Sequence, residues 1–351
     1  MDAPGTPSSP PPALPTLRDV ARLAGTSVPT ASKVLAGRSD VSEATRLAVL
    51  AAVAKVGYVR PSGRRTHTLP SDSRTIELVV NGIDGGWTTR VLMGIEAAAA
   101  EADLAVVVTA AHEGDEGWVR RVTSRMSAGV ILAVVPSSQQ QLAAFAARGT
   151  PVVVIDPEND QPTTTARVGA ANWDGGRTAA EHLLSRGHRR FGVIAGSKRH
   201  QFSQARADGF RSAVESAGGT PAPQMVRHAD WNTERAEACA GELLDSATPP
   251  TAVFACSDGM ALGVYRACEA RGLSIPSHVS VVGFDGLPQT QWMNPRLTTV
   301  AQPLVQMGAA AVRLVLSGVT PGTSGPENPA PWEQLATTLL VRDSTAQLTP
   351  H

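Results

Sequence analysis

Two sets of residues in this 351-residue chain have the types and spacing to do chemistry. The first is Ser27, Val28, Pro29, Thr30, Ser32 and Lys33, gathered at the start of a short helical pattern. Unpaired N–H groups and hydroxyls at a helix start suit phosphate oxygens, and a short exposed first turn can enter a DNA major groove. The second set is Asp84, Trp87, Asp156 and Asp285, each following a short apolar run that reads as a buried strand. In α/β sheets ligands gather beyond the carboxyl ends of the strands, where these residues fall.

The elements around the first set spell helix, turn, helix. Thr16 can cap a helix that Asp19 reaches back to close, with Leu17, Val20, Ala21, Leu23 and Ala24 as its inner face. Gly25 allows a tight turn, Ser27 caps a second helix with Pro29 in its first turn, and Gly37 stops it. A third helix runs from Ser42-Glu43 through Leu47, Leu50, Val53 and Val56 to Gly57. The chain has no formal net charge, yet residues 16–70 hold nine Lys/Arg against three acids. Such asymmetry marks a polyanion-binding module, although a basic three-helix structural unit shares the pattern.

The second set sits in a longer alternation. Strands are predicted at Ile76–Val80, Ala105–Thr109, Val130–Val135 and Val152–Ile155, then at Phe191–Ala195, Gln224–His228, Ala252–Cys256 and Ser280–Phe284, with helices between them. A helix over Gln302–Leu316 and a last strand near Leu335–Val341 complete the pattern, which implies two similar α/β lobes.

Other classes find little in the sequence. Cys239, Cys256 and Cys268 form no C-x-x-C pair, so neither a disulfide framework nor a metal site is expected. No G-x-S-x-G, H-E-x-x-H or P-loop occurs, and Gly82-x-x-Gly85-Gly86 is not a dinucleotide fingerprint, so neither an enzyme nor a cofactor is expected. No membrane-length apolar run occurs, and residues 1–15 read as a disordered tail, not an export signal. The location expected is the bacterial cytoplasm, on the nucleoid when DNA is bound.

The run T-L-R-D-V-A-R-L-A-G-T-S-V-P-T-A-S-K-V-L-A-G, followed by V-S-E-A-T-R and V-G-Y, resembles the headpiece of the lactose-repressor (LacI/GalR) family. The likeness continues through A-N-W-D-G-G-R-T-A-A-E-H-L-L-S-R-G-H-R-R-F-G-V-I-A-G, R-A-D-G-F, S-D-G-M-A-L-G-V, V-S-V-V-G-F-D-G and P-R-L-T-T-V. It implies a helix-turn-helix headpiece at 16–58, a hinge at 59–73 and a two-lobed periplasmic-binding-protein-like effector and dimerisation domain at 74–351. It also implies that Val28, Pro29 and Lys33 face base edges, while Thr16, Ser27, Thr30 and Ser32 hold phosphates or backbone. The hinge departs from the family pattern, since Pro61 is one residue late and Ser62 replaces an Asn. His67 stands where a Leu wedge is expected, leaving Leu69 as the nearest wedge, with Arg64 and Arg65 tracking phosphates or a narrow minor groove. A plain flexible basic linker fits these residues equally well.

In the effector domain the resemblance places Arg206 as a fork on ligand hydroxyls, Ser257 where an Asn is frequent, and Trp231 where an aromatic ring covers a sugar face. Asp285 would accept from a hydroxyl pair, and Asp84, Trp87 and Asp156 would face the cleft between the lobes. Each has a plainer role open to it, Asp285 as a cap and Arg206 as a surface ion pair. Trp87, Trp173, Trp231 and Trp292 fall at predicted loop positions, a concentration that favours a carbohydrate over a purine. The function implied is a DNA-binding regulator, a repressor in the first instance, on a palindromic operator and gated by a sugar or oligosaccharide. A sugar receptor without a DNA role is the other reading. The absence of a leucine-heptad tail favours a homodimer over a tetramer.

Overall fold

The computed structural model describes residues 17–35, 41–56, 74–83, 85–112, 114–115, 117–157, 164–219, 226–322 and 329–348. The chain divides into two compact units, Met1–Thr68 and Leu69–His351. The expected tail and hinge lie outside the described residues.

The first unit holds helices α1 (Leu17–Leu23), α2 (Val28–Leu35) and α3 (Glu43–Val56). Gly25 takes φ +61° in the turn between α1 and α2, a conformation open to a residue without Cβ. The Ser27 hydroxyl accepts from the Thr30 N–H at 3.2 Å, and the Ser42 hydroxyl accepts from the Thr45 N–H at 3.3 Å, so serines cap both following helices. Val20, Ala21, Ala31, Val34, Val49 and Ala52 form the core. Periodicity misassigned Leu23, which is exposed, as are Leu47 and Leu50 of α3, Leu47 by 60%.

The second unit contains two six-stranded sheets with matching strand orders. The first, β11-β5-β4-β3-β1-β2, uses β1 (Thr75–Val80), β2 (Ala105–Ala110), β3 (Val130–Ala133), β4 (Val152–Ile155), β5 (Ala166–Ala170) and β11 (Trp332–Leu335). The second, β12-β10-β9-β8-β6-β7, uses β6 (Phe191–Ala195), β7 (Val226–His228), β8 (Ala252–Ala255), β9 (Ser280–Asp285), β10 (Thr298–Ala301) and β12 (Thr338–Leu340). All pairs are parallel except β10 with β12. The central strands are buried on both faces by helices, which explains their unbroken apolar runs.

Two strands were not predicted, β5 and β10, because Ala-Arg-Val-Gly-Ala and Thr-Thr-Val-Ala carry few large apolar side chains. The single last strand expected near Leu335–Val341 is two strands in different sheets. The chain therefore crosses between lobes three times: from β5 into α7 (Asn172–Ser185), from β10 into α11 (Leu304–Leu316), and from β11 into β12.

Each crossing helix is locked to a helix of its own lobe by glycines. In lobe two, a Cβ on Gly176 of α7 would stand 1.9 Å from the carbonyl oxygen of Arg206 on α8 (Gln201–Ser216), and one on Gly209 would meet the Trp173 carbonyl at 1.9 Å. In lobe one, a Cβ on Gly94 of α4 (Gly86–Glu101) would reach the Val305 carbonyl at 1.9 Å, and one on Gly308 would meet the Val91 carbonyl at 2.3 Å. Backbone-to-backbone contact of this kind leaves no room to slide, so each helix pair moves as one body.

Candidate functional site

A cavity of about 450 Å³ lies between the lobes of the second unit, within the usual range for small-molecule sites. It opens beside the positions where the strand order reverses, between β1 and β3 and between β6 and β8. Lobe one contributes Asn81, Gly82, Gly85, Gly86, Trp87 and Thr88 after β1, Ala133 and Val134 at the end of β3, and Asp156 after β4. Lobe two contributes Phe202 and Arg206 from α8, and Trp231 between β7 and α9 (Thr233–Leu244). It adds Ser257 and Gly259 at the start of α10 (Asp258–Glu269), and Asp285 and Leu287 at the end of β9.

Arg206 is the centre of the polar wall. It is buried, donating from Nε to the Asn172 side-chain oxygen at 2.8 Å and from Nη1 to the Cys256 carbonyl at 2.7 Å and to Asp285 Oδ1 at 3.3 Å. Its guanidinium carbon lies 3.9 Å from the Phe284 ring centroid, 5.5 Å from Phe202 and 5.6 Å from Trp231. Nη2 has no hydrogen-bond partner among the described residues, so this face of the fork is free to donate to a ligand.

Two buried carboxyl groups, Asp156 and Asp285, feel the charge of this cation, and a third, Asp258, lies near Asp285. Burial pushes Asp156 up to about 6, against the opposing pull of the Arg206 charge. Burial likewise raises Asp285 to about 6, opposed by Arg206 and by the Gln302 hydrogen bond. Asp258 is raised well above the carboxylate range by burial and then by the nearby charge of Asp285. It accepts from the Thr299 hydroxyl at 2.6 Å and the Leu287 N–H at 2.7 Å. The cluster is thus short of positive charge and of hydrogen-bond donors, which a ligand rich in O–H groups would supply.

The second wall is aromatic. Trp231 stacks on Phe202 (centroids 5.3 Å apart) and on His200 (5.9 Å), and its indole N–H donates to His200 Nδ1 at 2.8 Å. Gly196 makes this possible, since a Cβ there would lie 2.2 Å from the indole ring. Strain collects here too: Val134 (φ +51°), Asp156 (+46°), Trp231 (+64°) and Asp285 (+111°) all take backbone conformations that L side chains disfavour, and all four line the cavity.

Of the residues expected from sequence at the cleft, Trp87, Asp156, Arg206, Trp231, Ser257 and Asp285 come together on this cavity, while Asp84 lies outside the described residues. Ser257 also caps α10, accepting from the Met260 N–H at 3.1 Å. Two tryptophans do not join them: Trp173 is exposed and packs against Arg177, and Trp292 is 79% exposed. Trp87 and Trp173 lie in the first turns of α4 and α7, not in loops. Sequence reasoning missed Phe202, Asn172, Gln302 and Asp258. Phe202 was within reach, because it stands four residues before Arg206 and so shares its helix face.

On the first unit, Ser27, Val28, Pro29 and Lys33 are exposed along the start and outer face of α2, with Thr30 half-buried and Ser32 on the same helix. Thr16, Arg64, Arg65 and Leu69 lie outside the described residues. Among the described residues no cluster of His, Cys, Asp and Glu is arranged to hold a metal ion, and no helix is long and apolar enough to cross a membrane.

This combination of a helix-turn-helix unit with a two-lobed clamp has known counterparts. Residues 16–61 match the lacI family of bacterial regulatory proteins, and residues 180–345 match the periplasmic binding protein-like domain. The HTH-type transcriptional repressor CytR of Escherichia coli (strain K12) is 32% identical over 314 residues, covering 86% of this chain and 89% of that protein. The solved complex of the transcriptional regulator CelR with cellobiose is similar at TM-score 0.70 and 31% identity, covering 94% of this chain and 99% of that one. The lac repressor dimer bound to operator and the anti-inducer ONPF is similar at TM-score 0.68 and 26% identity, over 95% and 100%. The chain belongs to the lacI family of bacterial regulatory proteins. It is a DNA-binding transcriptional regulator with a periplasmic-binding-protein-like effector domain, and the family is not one of enzymes.

Proposed function

We propose that this regulator is a homodimeric repressor whose operator affinity is lowered by a saccharide held between the two lobes. The observation that carries the reading is the cavity wall itself, where an Arg206 fork with a free Nη2 stands among acceptor carboxyls and beside the Trp231–Phe202 stack. Planar hydrogen-bonding groups fit vicinal hydroxyls, and an aromatic face fits the C–H surface of a pyranose. Asp84, Trp87, Asp156, Ser257 and Asp285 complete the site. Solved relatives carrying cellobiose and ribose support a sugar, and the lac repressor dimer bound to operator supports a homodimer on DNA, whose two-fold symmetry suits a palindromic site.

In this reading Val28, Pro29 and Lys33 meet base edges, and Thr16, Ser27, Thr30 and Ser32 hold the backbone. Arg64, Arg65 and Leu69 belong to the hinge contact with the minor groove. The saccharide acts by binding the DNA-incompetent arrangement of lobes more tightly than the competent one. The test pairs two measurements on the full chain. Cellobiose, maltose and ribose are titrated against intrinsic tryptophan fluorescence, and operator footprints are recorded at fixed salt with and without the responding sugar. A footprint that Lys33→Ala weakens about tenfold to a hundredfold, and that the sugar also weakens, supports the reading. No fluorescence response to any sugar, or a footprint indifferent to the sugar that binds, defeats it.

A further inference from the structure

We infer that Gln302 and Asn172 are positioning residues that couple the occupied cavity to the lobe crossings. The inference rests on the effector reading above and extends it from binding to regulation. Each of the two charged groups of lobe two that face the cavity is held by a residue in or next to a crossing, Asp285 by Gln302 and Arg206 by Asn172.

Asn172 is the first residue of α7, immediately after the crossing from β5. Its side-chain oxygen accepts from Arg206 Nε at 2.8 Å, and its side-chain nitrogen donates back to the Ala170 carbonyl at 3.1 Å. It therefore links the Arg206 guanidinium to the last residue of β5 in lobe one. Gln302 lies in the crossing from β10 to α11. Its backbone N–H donates to the Asp285 carbonyl at 3.1 Å and its side-chain nitrogen donates to Asp285 Oδ1 at 2.7 Å, while the Leu304 N–H donates to the Gln302 carbonyl at 2.9 Å. The two bonds to Asp285 hold that residue at φ +111°, a conformation that persists only where surroundings overdetermine it.

Gln302 also carries a signature of function over stability. Its Oε1 is buried with no hydrogen-bond partner among the described residues, so the amide is kept for one bond while its other end goes unsatisfied. An apolar side chain would avoid that cost, and nothing but the bond to Asp285 explains the amide. The glycine locks then extend each tie. Arg206 cannot move without α8 and α7, and the Gln302 crossing cannot move without α11 and α4, whose first turn carries Trp87 and Thr88. A saccharide pulling on Arg206 or Asp285 is thereby felt at both crossings.

The experiment uses the full chain, an operator duplex selected from a random pool with the wild-type protein, and cellobiose, maltose and ribose as probes at fixed salt. The variants are Gln302→Met, Asn172→Ala and Asn172→Asp, the last keeping the acceptor for Arg206 Nε while losing the donor to the Ala170 carbonyl. For each, the sugar Kd is read by fluorescence, and the ratio of operator Kd with saturating sugar to that without is read separately. The expected result is a sugar Kd within about tenfold of wild type and a ratio at least fivefold closer to one for all three variants, Asn172→Asp included because it keeps the Arg206 bond but loses the one to Ala170. A residue that merely supported the fold would shift sugar Kd or melting temperature and leave the saturated ratio unchanged, and that outcome overturns the inference. If the wild-type chain binds none of the three sugars, the saccharide reading falls and takes this inference with it. Should one variant fail to fold, the other decides, since each tie is tested independently.

Discussion

The two lobes share a strand order and a helix-locking device, yet they differ in how they prepare the cavity. Lobe two presents a finished constellation, with Arg206, Asp258 and Asp285 buried, bonded to one another's neighbours and backed by aromatic rings. Lobe one offers Asp156, Trp87, Thr88 and a stretch of backbone around Gly82, Gly85 and Gly86, with few side-chain bonds of its own. Equal topology thus carries unequal chemistry. In the proposed reading the preorganised half fixes what is recognised, and lobe one supplies mainly the backbone and the Trp87 ring that cover it.

The largest effect that would break this comparison is expected at Arg206. Arg206→Leu leaves the buried Asp156 and Asp285 without their cation, and breaking a buried pair in this way costs about 3–5 kcal/mol. Denaturant unfolding should report that loss together with an abolished fluorescence response to sugar. Retention of both stability and sugar binding would mean that lobe two is not the preorganised half.

A smaller effect of opposite sign is expected at Asp156. Its folded pKa, about 6, lies above the ordinary carboxyl value, so the fold favours the protonated form. The stabilisation from that proton is present at low pH, declines as pH rises from about 4 to 6, and is gone above it. Asp156→Asn should therefore raise stability at pH 7 by on the order of 2–3 kcal/mol and flatten the decline in melting temperature over that pH window. An unchanged pH profile would place the titration elsewhere.

The comparison sharpens most at the two cavity tryptophans. Trp231→Leu removes the ring stacked on Phe202 and His200 and is expected to weaken saccharide binding about tenfold, near the upper end of an aromatic contact. Trp87→Leu, on the unstacked side, is expected to cost less than half of that free energy. Equal losses in calorimetric titrations would erase the distinction between the walls.

Much of the site was readable before any coordinates, and for a definite reason. Asp156 and Asp285 end parallel strands, and the ends of such strands converge on one cleft whatever the loops do. Arg206 and Trp231 needed the family resemblance, because no local pattern distinguishes a buried helix arginine from an exposed one. The tryptophans were overread: Trp173 and Trp292 share residue type with Trp87 and Trp231 but not their direction, and a strand-and-loop reading has no access to direction. Gln302 and Asn172 were overlooked because they sit in or next to crossings, and crossings exist only once the assignment of strands to sheets is known.

The sequence by itself determined whatever depends on neighbours along the chain. Serine caps and the glycine turn of the headpiece fall in this class, as do the alternation of strands and helices and the net basic excess of the first seventy residues. Tertiary structure alone decided which of Trp332–Leu335 and Thr338–Leu340 joined which sheet, and turned Leu47 and Leu50 outward. It also drew Arg206, Asn172, Asp285 and Gln302 into one network across separations of 34 to 79 residues at the Arg206 contacts. The reason is energetic: a local bond is selected as the chain forms its turns, whereas a buried charge finds partners only after packing has excluded water from them.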